Sequence, residues 1–308
     1  IRVGILAPAY ISMFPHTPAL QLIIRDIPKY PYVNQLFNVT IQLIDDWNHL
    51  LNRTQHEEYP LYLKLCFDQN PPNDCNENIL VIENNGAPLT ISKTKTATIQ
   101  MKITDISMYY ENIKFVLYAS CEKSHIRPAI SEPMFAIRYR LTIEQYEKLD
   151  WEERYVWYKD MGGNKNWIAL HLGLRDSNEE LIARKVPLRV SLLYMNGMKA
   201  LGVRGKDIFT IHPDTKLLID ETGEALLELR INDVSKNHVN QSFIIQVSPD
   251  TTNHPLNNDI SPAFSIPIEV RSKKKKRTRD LAMSNALLPP SITQRTDATS
   301  SASSALLQ

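Results

Sequence analysis

Glycine is scarce, with nine residues in 308. That leaves little material for phosphate-cradling loops, and neither GxGxxG nor GxxxxGK[ST] occurs. The hydrolase and metalloprotease signatures GxSxG and HExxH are missing as well. Cysteine is rarer still: Cys66, Cys75 and Cys121 are too few for a disulfide-built scaffold. None belongs to a CxxC or CxxH pair, so a zinc site is not expected. All three are read as reduced thiols, because a Cys66–Cys75 bridge would need an oxidising compartment and leave Cys121 over. No apolar run approaches the ~18–20 residues of a membrane span. The opening Ile1-Arg-Val-Gly-Ile-Leu-Ala is too short for a secretory h-region with its n-region. No DxD or DxNDN run offers calcium its oxygens. The histidines are scattered, and only His125 and His254 match, in two polar loops 129 residues apart. Asp45-Asp46 reads as a turn at a strand end. These absences exclude the usual catalytic chemistries. A non-enzymatic chain is expected, with no cofactor, metal, small-molecule substrate or membrane partner.

The charge is uneven. The formal net charge is +1, yet the short segment Arg271–Asp280 alone carries +6. Residues 281–308 are neutral, so residues 1–270 carry −5. A mildly acidic body with one basic block is not a broadly basic nucleic-acid-binding domain.

What is present is a pattern of short strands. Phe37, Val39, Ile41 and Leu43 alternate with polar residues at the period of a half-buried strand. Similar runs follow at Leu61–Phe67, Ile79–Ile82, Thr98–Ile103, Phe115–Ala119 and Phe135–Leu141, separated by turn residues. Short strands at this spacing, with no long helix between them, predict an antiparallel sandwich.

An internal repeat is the strongest signal. Ala97–Ser107 aligns with Ala225–Ser235 at a shift of 128, and the register continues through Phe115/Phe243 and Ser120/Ser248. Upstream, Pro60 pairs with Pro187 at a shift of 127; downstream, Ile130-Ser131 pairs with Ile260-Ser261 at 130. Phe115, Leu117 and Ala119 should form an inward row, matched by Phe243, Ile245 and Val247. The expected organisation is an extended segment over 1–29, a sandwich over 30–141, a linker over 142–164, a second sandwich over 165–272 and a tail over 273–308. Thr142-Ile-Glu-Gln145 has the form of a capping box, and Ile143, Tyr146 and Leu149 share a helical face, so the linker should open on a short helix. Trp151, Trp157 and Trp167 should pack that linker against both sandwiches. The tail is Ser/Thr/Ala/Leu-rich with Pro289-Pro290, a composition expected to be disordered.

On these residues the chain resembles tandem immunoglobulin-like β-sandwiches. It lacks the Cys…Trp…Cys signature of antibody domains. In general architecture it is similar to nuclear transcription factors of the Runt, Rel and p53 groups. None of their diagnostic motifs occurs, so no residue roles follow from that likeness.

The basic block is the most specific functional feature. Lys273, Lys274, Lys275, Lys276 and Arg277 match a monopartite nuclear-localisation signal. With Arg271 and Arg279 they also suit the DNA backbone, where cations displace condensed counterions. Lys199, Arg204, Lys206 and Lys236 lie in loops of the second copy and are candidates to join them. The expectation is an all-β, nuclear, non-enzymatic regulator contacting DNA through the second sandwich and its basic extension. A protein-interaction scaffold that uses the run for import is the alternative, favoured by the −5 body. An extracellular adhesion-type repeat protein is favoured only by the sequons at Asn38, Asn52 and Asn240.

Overall fold

A computed structural model describes residues 20–44, 58–69, 72–75, 77–84, 87–92, 96–123, 125–147, 149, 155–161, 163, 166–202 and 207–273. Twenty-one short strands carry the architecture. The first ten are β1 (Leu20–Arg25), β2 (Phe37–Ile44), β3 (Glu58–Phe67), β4 (Asn73–Asp74), β5 (Leu80–Glu83), β6 (Thr90–Ser92), β7 (Ala97–Ile103), β8 (Phe115–Cys121), β9 (Ile126–Arg127) and β10 (Ala129–Ile130). Next come β11 (Tyr139–Glu147), β12 (Val156–Tyr158), β13 (Ile168–Arg175), β14 (Val186–Tyr194), β15 (Phe209–Ile211) and β16 (Leu218–Ile219). The chain ends its described part with β17 (Glu224–Ile231), β18 (Phe243–Pro249), β19 (Ile260–Ser261), β20 (Ala263–Phe264) and β21 (Glu269–Arg271). The described residues contain no α-helix.

The strands form two immunoglobulin-like sandwiches with one topology. In the first, the sheet β5-β7-β2-β1-β9 faces a sheet built on β10-β8-β3. In the second, β15-β17-β13-β11-β19 faces β20-β18-β14. The registers match rung for rung. Leu61 lies opposite Cys121 as Leu188 lies opposite Pro249, and Phe67 opposite Phe115 as Tyr194 opposite Phe243. Strand β6 pairs with the start of β3 as β16 pairs with the start of β14. Strand β4 pairs with the end of β3, where the second copy keeps one bridge, Leu193 to Lys199.

Period-two alternation accounts for the two cores. Val39, Ile41, Met101, Ile103, Phe115, Leu117 and Ala119 are buried between the sheets of the first sandwich. Leu170, Leu172, Leu227, Leu229, Ile231, Phe243, Ile245 and Val247 fill the second. Two serines repeat the same polar device. Ser107 Oγ accepts from the Ala136 N–H, and Ser235 Oγ accepts from the Val270 N–H, both at 3.0 Å. Each satisfies a buried amide that the sheet leaves unpaired.

Four expectations are corrected here. Leu20–Arg25, placed ahead of the sandwich, is an integral strand of it, bonded to β2 and β9. Thr142–Gln145 is not the start of a helix but the middle of β11, which pairs along its length with β13 in the second sandwich. A bulge between Ile143 and Gln145 shifts the phase of β11. That shift spaces Ile143 and Tyr146 by three and imitates a helical face. Trp157 does not wedge between the sandwiches; it is buried within the second core, on β12, while Trp151 lies outside the described residues. The downstream repeat pairing is shifted too. Ile130-Ser131 corresponds to Phe264-Ser265, because Ala129 meets Ala119 as Ala263 meets Val247. The connection from β18 to β19 is longer than that from β8 to β9 and holds a 3-10 turn, Pro255–Asp259.

The sandwiches meet end to end through polar groups. The Arg138 N–H donates to the Asp259 carbonyl at 2.9 Å, and its guanidinium donates to Tyr109 Oη at 2.7 Å. Arg140 lies over the Tyr32 ring and pairs with Glu179 at 2.6 Å. The 3-10 turn Ser107–Tyr110 of the first sandwich thus sits against the Pro255–Asp259 turn of the second.

Candidate functional site

Call the end of each sandwich where β8 or β18 begins its lower end. In the first sandwich the turn Ser107–Tyr110 at this end meets the second. In the second sandwich this end carries the sequence candidates that the structure describes. Strand β14 runs down to Tyr194, and its hairpin turns through Met195–Met198 before Lys199 returns beside Leu193. Asn196-Gly197 makes the turn, with Gly197 at φ +81°. The connection from β17 to β18 also turns at this end, through the 3-10 turn Ser235–His238, which carries an exposed Lys236. Strand β21 arrives beside it, since the Ile268 N–H and C=O bond to Phe243 and the Val270 N–H bonds to Ser235. Lys199, Lys236 and Arg271 are therefore brought to one end.

A trio centred on the buried His238 locks the hairpin to the turn. Tyr194 Oη lies 2.8 Å from His238 Nδ1, and both rings pack on Phe243. His238 Nε2 sits 3.2 Å from Asp233 Oδ2, an ion-pair distance without hydrogen-bond alignment. Burial works against ionisation of Asp233. Hydrogen bonds from Asn237 and the Val234 N–H, with the nearby His238, outweigh it and hold the carboxyl below its usual range. The His238 side chain is 4% exposed, so the trio anchors the turn and offers no surface to a substrate.

The cations differ in availability. Lys199, Lys236 and Lys273 are exposed. Lys199 and Lys236 have no ion-pair partner among the described residues. The Arg271 guanidinium, though exposed, bonds both oxygens of Glu269 at 2.7 and 3.0 Å, and that carboxylate raises its pKa further. Arg204, Lys206, Lys274, Lys275, Lys276, Arg277 and Arg279 lie outside the described residues. Exposed acids are present as well, Asp160 after β12 and Asp207 before β15.

Sequence reasoning missed the apolar side of this end. Met195, Met198 and Val239 are 64%, 61% and 86% exposed, and Met161 after β12 is exposed as well. Val239 also holds φ +56°, a left-handed conformation that a β-branched side chain rarely adopts. In the repeat Val239 aligns with Glu111, which holds the same left-handed conformation.

Elsewhere, a cleft of about 330 Å³ in the first sandwich is lined by Leu63, Lys64, Asp74, Cys75 and Ile82 among others. Burial, with Cys66 and Asp74 nearby, pushes the Cys75 thiol up to about 12, which disfavours the thiolate a nucleophile requires. No group of three or more His, Cys, Asp or Glu side chains is arranged to hold a metal among the described residues.

The family model described as the DG1062 N-terminal domain matches residues 137–305. Its match begins two residues before β11. No curated protein matches the chain. Among solved structures, the Yersinia pseudotuberculosis adhesin InvE is similar at 12% identity and a TM-score of 0.23, over 75% of this chain and 55% of that one. The chain thus spans about half of that adhesin's length. Domains 5–6 of the S-layer protein SbsC are similar at 9% identity and a TM-score of 0.24, over 83% of this chain and 100% of that one. A DUF4785 family protein of Legionella pneumophila is similar at 10% identity and a TM-score of 0.34, over 78% and 53%. Likenesses this slight carry no functional argument.

Proposed function

The chain belongs to the DG1062 N-terminal domain family, and we propose that its matched segment is a non-enzymatic binding module for a polyanionic partner. The observation that carries this reading is the gathering of Lys199, Lys236 and the exit of β21 at one end of the second sandwich. The sequence then continues from Ser272 into four lysines and an arginine. Unpaired surface lysines attract an anionic surface at long range, and the attraction weakens with salt. The burial of His238 and the raised pKa of Cys75 support binding over catalysis.

A nuclear form of this reading, in which the partner is nucleic acid, is favoured by the match of Lys273–Arg277 to an import signal. The test uses the full chain with heparin and duplex DNA at two salt concentrations. Binding should fall steeply with salt and should weaken when Lys199 and Lys236 are both changed to Glu. Retention of full affinity by that variant would move the site away from this end. For the nuclear form, changing Lys273–Arg277 to Ala should leave a fused reporter cytoplasmic; unchanged nuclear accumulation would count against it.

A further inference from the structure

We infer that the lower end of the second sandwich docks on an anionic lipid surface, with Met195, Met198 and Val239 entering the headgroup region. The inference rests on the polyanion reading and names the class of partner. It departs from the sequence expectation of no membrane partner.

The first reason is the combination of side chains. A nucleic-acid backbone rewards cations and gives nothing to aliphatic tips. A lipid interface rewards both, since apolar groups enter the acyl boundary while lysines stay at headgroup level. Here they are interleaved. Lys199 directly follows Met198, and Lys236 stands three residues before Val239 on the same turn. Long lysine stems can reach upward as neighbouring apolar tips insert.

The second reason is shape. The apolar residues belong to a hairpin and a turn that run past the last rung of the sheet, the Tyr194–Phe243 pair. The Tyr194–His238 contact ties the two together. The tips are separate and none is aromatic, whereas the energetic centre of a protein interface is enriched in tryptophan, tyrosine and arginine. They are suited to shallow insertion of roughly 5–10 Å.

The third reason is charge complementarity. Asp233 is engaged by Asn237 and His238, and Glu269 by Arg271, so these acids do not oppose an anionic surface. Asp160, after β12, and Asp207, before β15, remain exposed at this end, and Lys199, Lys236 and the basic run that follows Ser272 in sequence outnumber them.

The first sandwich supplies an internal contrast. Asp68 follows Phe67 where Met195 follows Tyr194, Asp74 stands at the Lys199 position, and Glu111 stands at the Val239 position. Asp68, Asp74 and Glu111 are exposed there, so the same backbone positions carry acids, while Tyr109 on the adjoining turn contacts Arg138.

The test is co-sedimentation of the full chain with phosphatidylcholine vesicles, with and without phosphatidylserine, alongside a duplex DNA titration. Two variants accompany it: Met195→Ser/Met198→Ser/Val239→Asn, and Lys199→Glu/Lys236→Glu. Thermal unfolding of each verifies that the fold is intact. The expected result is sedimentation only with phosphatidylserine present, weakened roughly tenfold or more in the apolar-tip variant. DNA affinity should be unchanged in that variant and reduced in the lysine variant. Binding to DNA but not to phosphatidylserine vesicles would overturn the lipid inference and leave the polyanion reading standing. Binding to neither would remove both. Vesicle binding undiminished in the apolar-tip variant would also overturn it, by making the attraction purely electrostatic.

Discussion

The two lower ends are built on one backbone plan and present opposite chemistry. Each has a strand pair closing on a phenylalanine, Phe115 or Phe243, and a 3-10 turn capped by a left-handed residue, Glu111 or Val239. Inside, the rings are conserved in kind: Phe67, Tyr110 and Phe115 pack together as Tyr194, His238 and Phe243 do. Outside, the first end shows Asp68 and Glu111 where the second shows Met195 and Val239. The core fixes which positions point inward, and packing penalises change there. Turn tips face no such constraint, so duplicated domains can diverge at their ends without altering the fold.

The comparison breaks most sharply at the two phenylalanines. Phe115 and Phe243 are both fully buried. Truncation of either to Ala should cost about 3–5 kcal/mol in denaturant unfolding. A cost below about 1 kcal/mol at one site would show that the two cores are not packed alike.

Alkaline pH should separate the sandwiches next. Burial pushes Cys75 up to about 12, and burial with the bond to Asp105 pushes Tyr110 up to about 12. The second sandwich has Ala200 and His238 in their places. The neutral forms are favoured by folding, so stability is complete below the ordinary values of 9 and 10 and is lost as pH rises toward 12. Amide exchange in β8 should therefore accelerate above pH 9 before the fluorescence of buried Trp157 changes. Simultaneous loss would contradict the assignment.

Ser107→Ala and Ser235→Ala should each cost roughly 1–3 kcal/mol, because each strands a buried N–H. Equal costs would confirm that the serines are one duplicated device; a neutral effect at either would show that its amide finds another partner.

The smallest effect is the most informative about function. Val239→Asn should stabilise the chain by up to ~1 kcal/mol, since Asn tolerates the left-handed region and Val does not. The same change at Glu111 should gain less. A gain in thermal stability together with weakened vesicle binding would mark Val239 as a residue kept against stability for a surface role. No gain would remove the strain from consideration.

Much of this plan is legible in the residues. The shift of 128 between Ala97–Ser107 and Ala225–Ser235 holds because alternating apolar side chains are a local record of a buried face. The match fails after β18, where the longer connection with its Pro255–Asp259 turn moves Ser265, not Ser261, into the place of Ser131. Thr142–Gln145 misleads for a different reason. Its capping-box spelling is a local preference, and the pairing of β11 with β13, some thirty residues away, overrides it. Among the site residues, the candidate lysines were visible individually. Their company of methionines and Val239 was not, because hairpin and turn are over thirty residues apart in sequence and are tied together through Tyr194 and His238.

The sequence by itself determined the all-β class, the duplication, the inward rows and the single basic block. These depend on composition and on a period of two, both of which are written along the chain. Only the tertiary structure decided that 139–147 is a strand, that the turn Ser107–Tyr110 at the first lower end meets the second sandwich and that the second lower end is open to solvent. It also decided that Met195, Met198, Lys199, Lys236 and Val239 share that open end. Those outcomes depend on hydrogen-bond partners and packing surfaces supplied by distant segments, and no local pattern encodes which distant segment will arrive.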